Sequence, residues 1–326
     1  MRALSCGVLL MALASSAPAL ALDPATPAGK ALHSAWSDGL AEVSTYESTI
    51  ERYGEKRSYH EVLIFVKERF DARRMVKSDY AGTAPDHEFD VMKLARMLHF
   101  VTGIYDYHQS VNYFTPLYRS PLEGRGPGLG DVREGFGFGE HPAKLSLMSF
   151  EWCGNYFAEW LGEAGRLKER SFSYFDGEAD AEREIKTPGA TTPWLSEDGW
   201  QIWARGLAGY PDAARKGPIA VKVLTSILVS RFEHRPTHWV NGTVEVATRG
   251  DRDVVTFVVG KERTWTIEVE RTGQRRILAY RSSDGQTGRL LKSERRAYWG
   301  EHGNKHLPLR HRMGLVDQAD LTAPKP

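Results

Sequence analysis

Apolar side chains recur at every second position along much of this chain, and that spacing constrains its fold more than any other feature. Trp265, Ile267 and Val269 alternate with Thr264, Thr266 and Glu268, the pattern of a strand with one buried and one wet face. The same period runs from Lys93 to Phe114. There Met97, Val101, Tyr105, Tyr107, Val111 and Tyr113 hold odd positions, and Asp106, His108, Ser110 and Asn112 hold even ones. A break or bulge is expected near Gly103, and Lys93 to Val101 also admits a helix. Val62 to Val66 is apolar on both faces, as in a central strand covered on both sides.

Other stretches carry the same signature. Ala41 to Tyr53 and Tyr59 to Phe70 frame a turn at Gly54-Glu55-Lys56, and Arg166 to Phe175 and Val254 to Val259 read as strands. Lys144 to Phe157 is more ambiguous. Apolar residues switch phase from Leu145 and Leu147 to Met148, Phe150 and Trp152, which predicts a strand that changes its buried face or bulges before Gly154. Ile219, Val221, Val223, Ile227 and Val229 share one strand face, and Asn241-Gly242 signals a hairpin turn. Arg276–Arg281 and Arg289–Trp299 pair across Ser283-Asp284-Gly285. One helix stands out, Ser196 to Leu207. Ser196 caps it, Glu197 and Asp198 suit its positive end, and Trp200, Trp203 and Leu207 share a face. The acidic stretch Glu178 to Glu184 reads as solvated.

These elements predict a mainly β fold: a large curved antiparallel sheet or a partly closed β-barrel with one or two short helices. One large domain is expected over 22–308, with two coupled halves meeting near 188–217 as the alternative, and 309–326 reads as a flexible tail. Pro116 to Pro142 holds seven glycines, clustered in Gly124–Gly139. It reads either as a covering flap or as an insertion without fixed structure. Its glycines lack the spacing of a phosphate site.

Residues 1–21 have the layout of a secretory signal. Arg2 starts it, Val8 to Ala14 form an apolar run too short to cross a bilayer, and Ala19-Leu20-Ala21 is a small-x-small cleavage site. Cleavage after Ala21 and a periplasmic or secreted location are expected. No transmembrane segment is expected in the mature chain. Without Arg2 the 43 basic residues become 42, equal to the 42 acidic ones. That balance gives no support to a nucleic-acid partner. Cys153 is the one cysteine left after cleavage, so no internal disulfide forms. A buried thiol is the default expectation.

Four residues are weak catalytic candidates. Cys153 could act as a nucleophile, though no His adjoins it in sequence. Glu151 sits among apolar residues as a buried acid or a salt-bridged structural one. Asp106 and His108 share a strand face, but a metal set needs a third group that the sequence does not show. His302 and His306 have metal-like spacing, yet Gly303 and Asn304 disfavour the helix such a site needs. No metal ligands are therefore assigned, and no cofactor is implied.

The blocks EVLIFVKERFD, VKSD, KLARMLHFVTGIYDYHQSV, LSLMSFEWCG, SFSYFDGEAD and RLLKSERRAYWGEH resemble a group of exported bacterial proteins sometimes labelled septum formation inhibitor Maf. The resemblance runs from about Trp36 to His306. It implies one coherent fold and an envelope location. The serine- and arginine-rich phosphate motif of cytoplasmic Maf pyrophosphatases is absent, and the resemblance supplies no catalytic residues.

Aromatic residues are abundant: nine Trp, thirteen Tyr and thirteen Phe. A curved sheet lined by them encloses an apolar cavity or simply a large core. The leading expectation is a non-enzymatic binder of a lipid or other apolar or amphipathic small molecule. Trp152, Tyr105, Tyr107, Trp200 and Trp203 would line its cavity, by fold-level analogy with periplasmic lipoprotein carriers. A hydrolase using Cys153 with Glu151, Asp106 or His108 is the alternative, and a structural or partner-binding envelope module is the third. The oligomeric state is not legible.

Overall fold

The computed structural model describes residues 35–79, 87–117, 142–163, 165–189, 192–206 and 214–315. The expected signal sequence, the glycine-rich stretch 124–139 and Leu207 lie outside them.

Among the described residues sixteen strands form one sheet. They are β1 (Ala41–Arg52), β2 (Glu55–Asp71), β3 (Val76–Lys77), β4 (Glu88–Thr102), β5 (Tyr105–Pro116), β6 (Lys144–Glu151), β7 (Gly154–Glu163) and β8 (Arg166–Ser173). The rest are β9 (Ala181–Lys186), β10 (Trp194–Ser196), β11 (Ile219–Leu224), β12 (Trp239–Arg249), β13 (Arg252–Val259), β14 (Arg263–Glu270), β15 (Ile277–Ser282) and β16 (Thr287–Arg296). The spatial order is β10-β11-β12-β13-β14-β15-β16-β1-β2-β4-β5-β6-β7-β8-β9, with β3 paired to β2. All pairings are antiparallel except β10 with β11. Among the described residues three short α-helices accompany the sheet: α1 (Trp200–Trp203), α2 (Ile227–Glu233) and α3 (Leu307–Arg312). No helix among the described residues is long and apolar enough to cross a membrane.

The two ends of the sheet do not pair with each other, so it is not a closed barrel. Curvature nevertheless brings them near. Arg183 of β9 donates to the Thr237 carbonyl at 3.0 Å, and Trp239 Nε1 donates to the Lys186 carbonyl at 2.9 Å. The concave face is filled by its own large side chains. Trp160, Trp200, Trp203, Trp265, Tyr46, Tyr59 and Tyr107 are all less than 2% exposed or just at that level. This core runs through nearly every strand. Burying such rings is worth roughly 25 cal/mol per Å² of apolar surface removed from water, the main favourable term here.

The VLIFV stretch is covered on both sides, as its sequence implies. Leu63 and Phe65 face the concave core, while Ile64 and Val66 pack with Val43, Ala95 and Met313 on the other face. Met313 and Leu315, just after α3, pack on the outer face, so this part of the expected tail is docked, and 316–326 lie outside the described residues.

Several local expectations are corrected. Lys93 to Val101 is strand, not helix, because β4 is paired along both sides. Of the break or bulge expected near Gly103, the structure has the break: Gly103 lies in the tight β4–β5 turn with φ of +59°. Leu145, Leu147 and Ser149 stay on the buried face without a phase change, and β6 keeps an unbroken register with β5 and β7. Met148 and Phe150 therefore point outward. Asn241-Gly242 is not a turn but lies within β12. Gly242 is needed there because a Cβ would run into the Val258 carbonyl and Val223. Ile227 and Val229 sit on α2, not on a strand. The expected helix from Ser196 shrinks to α1, and Ser196 ends β10 without capping it. Glu178 to Glu184 is largely exposed, as expected, and its second half forms the start of β9 from Ala181.

Candidate functional site

Antiparallel pairing sends the β1–β2, β4–β5 and β6–β7 turns to the same end of the sheet, and the β8–β9 connection and α2 join them there. Aromatic side chains from these separate segments converge. Tyr53 sits in the β1–β2 turn with φ of +57° and is 58% exposed. Tyr105 and Tyr107 come from the start of β5, Trp152 from the β6–β7 turn and Phe232 from α2. The Tyr53 and Tyr107 hydroxyls lie 2.7 Å apart, and Tyr105 donates to Tyr53 at 3.4 Å. Ring centroids separate Tyr105 from Tyr107 by 5.6 Å, Tyr105 from Trp152 by 6.3 Å and Tyr107 from Phe232 by 6.4 Å. Exposed Ile104, at the tip of the β4–β5 turn, adds to this rim.

Arg52 lies in the middle of the group. Its guanidinium is 4.4 Å from the Tyr53 ring centroid, 4.9 Å from Phe232 and 5.5 Å from Tyr107. It donates to the Phe232 carbonyl at 3.0 Å and to the Tyr53 hydroxyl at 3.4 Å. Its Nε is buried and has no hydrogen-bond partner among the described residues. No salt bridge to Arg52 occurs among them either. A half-buried cation stacked on rings and left without a countercharge attracts an anion, because low surrounding dielectric strengthens the pull. The tyrosines respond to the same surroundings. The hydrogen bond to Tyr53 lowers the Tyr105 pKa, while burial raises that of Tyr107.

A buried ion-pair cluster closes one side of this end. Arg231 of α2 reaches Glu151 at 2.8 Å and Glu178 at 3.2 Å, and packs on the Phe175 ring at 4.7 Å. Glu151 is thus a structural acid held by a cation from another element.

The expected site residues therefore separate into three places. Tyr105, Tyr107 and Trp152 meet at the rim, although Trp152 is 66% exposed rather than enclosed. Trp200 and Trp203 belong to the packed core. Trp200 packs on Trp265 and Tyr280, both at 5.1 Å, and Trp203 on Phe257 at 4.9 Å. Asp106 and His108 point to the outer face of β5, opposite to Tyr107. Cys153 is exposed in the β6–β7 turn, contrary to the buried-thiol expectation. Tight turns leave both central side chains outside the ladder, which the strand period alone does not reveal. Cys153 takes no part in any cluster of three His, Cys, Asp or Glu ligand atoms among the described residues. His302 precedes and His306 ends a short 3-10 turn (Asn304–His306) after β16, so the two do not share one α-helix.

Sequence reasoning missed Tyr53, Arg52, Phe232 and His99. The sequence places the turn at Gly54-Glu55-Lys56, whereas β1 ends at Arg52 and β2 starts at Glu55, so Tyr53 and Gly54 form it; nothing local marks that turn as a neighbour of the β4–β5 turn. His99 faces His108 directly across the β4–β5 ladder. Their rings stack with centroids 4.0 Å apart, and His99 Nε2 lies 3.0 Å from Asp106 Oδ1. Burial, and then the neighbouring His99, lower the His108 pKa.

On the outer face of β6–β8 lies a groove of about 450 Å³, lined by Met148, Phe150, Tyr156, Phe157, Phe172 and Tyr174 among others. It forms because Met148, Phe157 and Phe172 stand in register on adjacent strands. No family model, no curated protein and no solved structure matches this chain.

Proposed function

We propose that this protein is an exported binding protein for an amphipathic molecule with an acidic head, taken up at the aromatic rim of the curved sheet. The observation that carries this reading is Arg52, a cation among Tyr53, Tyr107 and Phe232 with no carboxylate paired to it among the described residues. The acidic head would meet the guanidinium and the Tyr53–Tyr105–Tyr107 hydroxyls, and the apolar part would lie against Trp152 and Ile104. Charge-assisted hydrogen bonds give the head its orientation, and ring burial gives the tail its affinity. The leader-like start of the sequence supports an envelope location.

Titration with cis-parinaric acid, followed by its fluorescence, tests the reading. Saturable binding is expected, weakened about tenfold or more by Arg52→Gln, in line with the loss of about 1.5–3 kcal/mol for a hydrogen bond to a charged group. Trp152→Ala should weaken it less. The methyl ester should bind no better to the native chain than the acid binds to Arg52→Gln. Absence of saturable binding, or equal affinity of the native chain and Arg52→Gln for the acid, overturns the proposal.

A further inference from the structure

We propose that His99, Asp106 and His108 form a binding site for a divalent transition-metal ion of the zinc type on the outer face of the β4–β5 hairpin. One ligand atom from each of the three lies within 4.8 Å of the others. Tetrahedral zinc with bonds of about 2.0–2.1 Å needs ligand atoms roughly 3.3 Å apart. The His99–Asp106 separation of 3.0 Å is close to that spacing, and the pairs with His108, within 4.8 Å, come to it by small side-chain rotations.

The scaffold favours this use. All three residues stand on paired strands rather than on a loop. His99 pairs with His108, and Val101, two residues along β4 on the same face, pairs with Asp106. Period two then places all three side chains on one face. Ligands fixed by a backbone ladder are held more closely than ligands on a mobile segment. Two imidazoles and one carboxylate suit zinc and its neighbours among the first-row divalent ions, whereas calcium and magnesium prefer all-oxygen sets.

The site is open. The His99 side chain is 41% exposed and that of Asp106 is 37% exposed, and His108 is exposed as well. Three protein ligands on a surface leave a fourth position for water or a ligand from solution. The site lies on the face opposite to the inward-pointing Tyr107, so it is separate from Arg52 and its rings.

Equilibrium dialysis of the chelator-treated full chain against zinc chloride tests the site. One ion per chain is expected. His108→Ala and Asp106→Asn should each weaken binding at least about tenfold, as losses around metal sites do. His302→Ala/His306→Ala should bind as the native chain does. These side chains are partly or fully exposed, so metal-free thermal unfolding of every variant should match the native chain and show that the fold is intact. Zinc should also shift the imidazole resonances of His99 and His108 in nitrogen-edited spectra. No saturable uptake overturns the proposal. So does uptake that survives His99→Ala/His108→Ala, or uptake that follows His302 and His306 instead.

Discussion

Glu197 carries its carboxylate into the core, 1% exposed, and finds an ion pair and two hydrogen bonds there. Arg263 Nε lies 2.8 Å from it, Trp265 Nε1 donates at 2.9 Å and the Ser226 backbone N–H donates at 2.9 Å. Burial outweighs these partners and pushes its pKa up to about 7, from an ordinary 4.5. Between those two values the folded chain holds a proton that the unfolded chain has lost. The group's contribution to stability is therefore fully present below about pH 4.5 and declines as pH rises to about 7. Asp198, also raised by burial, acts with the same sign. Urea unfolding of native and Glu197→Gln chains between pH 5 and 7.5 should show a shallower decline in the variant, by at most about 1.4 kcal/mol per pH unit. An unchanged slope would remove Glu197 from this role. None of this was legible beforehand. Glu197 followed by Asp198 after a serine is the ordinary signature of a helix start. Only the tertiary neighbours Arg263 and Trp265, more than sixty residues away, turn it into a core acid. Glu151 is the opposite case, since a lone acid between apolar residues already suggested a salt-bridged structural role.

Among the elements, α2 depends most on side chains. It has seven residues, too few to hold a helix in water by itself. Ser226 caps it, accepting from the Val229 N–H at 3.3 Å and donating to Asp198 at 2.6 Å. Arg231 then ties the helix to Glu151 and Glu178. Ser226→Ala removes the cap and leaves Asp198 short of a donor, so a loss of about 1–2 kcal/mol is expected in denaturant unfolding. A loss below about 0.5 kcal/mol would mean that packing alone fixes α2. The strands were far easier to read than the helices. Regular alternation in β4, β5 and β14 follows directly from one core face and one outer face. Ile227 and Val229 continued that alternation from β11 by coincidence, and the serine before them was the overlooked stop signal. Gly242 misled for a related reason: Asn-Gly usually supplies a left-handed turn, but here the missing Cβ makes room for a neighbouring strand.

At the scale of the whole molecule, the strand-rich curved sheet was legible because turn signals separate the amphipathic runs. The pairing order was not, because β16 meets β1 across most of the chain and no local pattern records that. The edges of the sheet follow known devices against aggregation. Edge strand β9 carries alternating charges, Glu182, Arg183, Glu184 and Lys186, and edge strand β10 has only three residues. No ladder closes the gap between them among the described residues; instead Arg183 and Lys186 of β9 are hydrogen-bonded to Thr237 and Trp239 at the start of β12. Native-state hydrogen exchange should therefore release the amides of β9 and β10 well before those of β2 and β4, which are paired on both sides. Equal protection would show that the gap is sealed as firmly as the middle of the sheet.

Residues 187–193 connect the two outermost strands, while Ala41 of the first strand pairs with Arg296 of the last. Cutting that short connection and splicing β16 to β1 by a hairpin would give a circular permutant with an unchanged sheet. In it, apart from the two-residue β3, each strand would follow its spatial neighbour along the polypeptide. From β11 round to β9 the native topology is thus an antiparallel meander whose start has been moved to its middle, and only the parallel β10–β11 crossover departs from it.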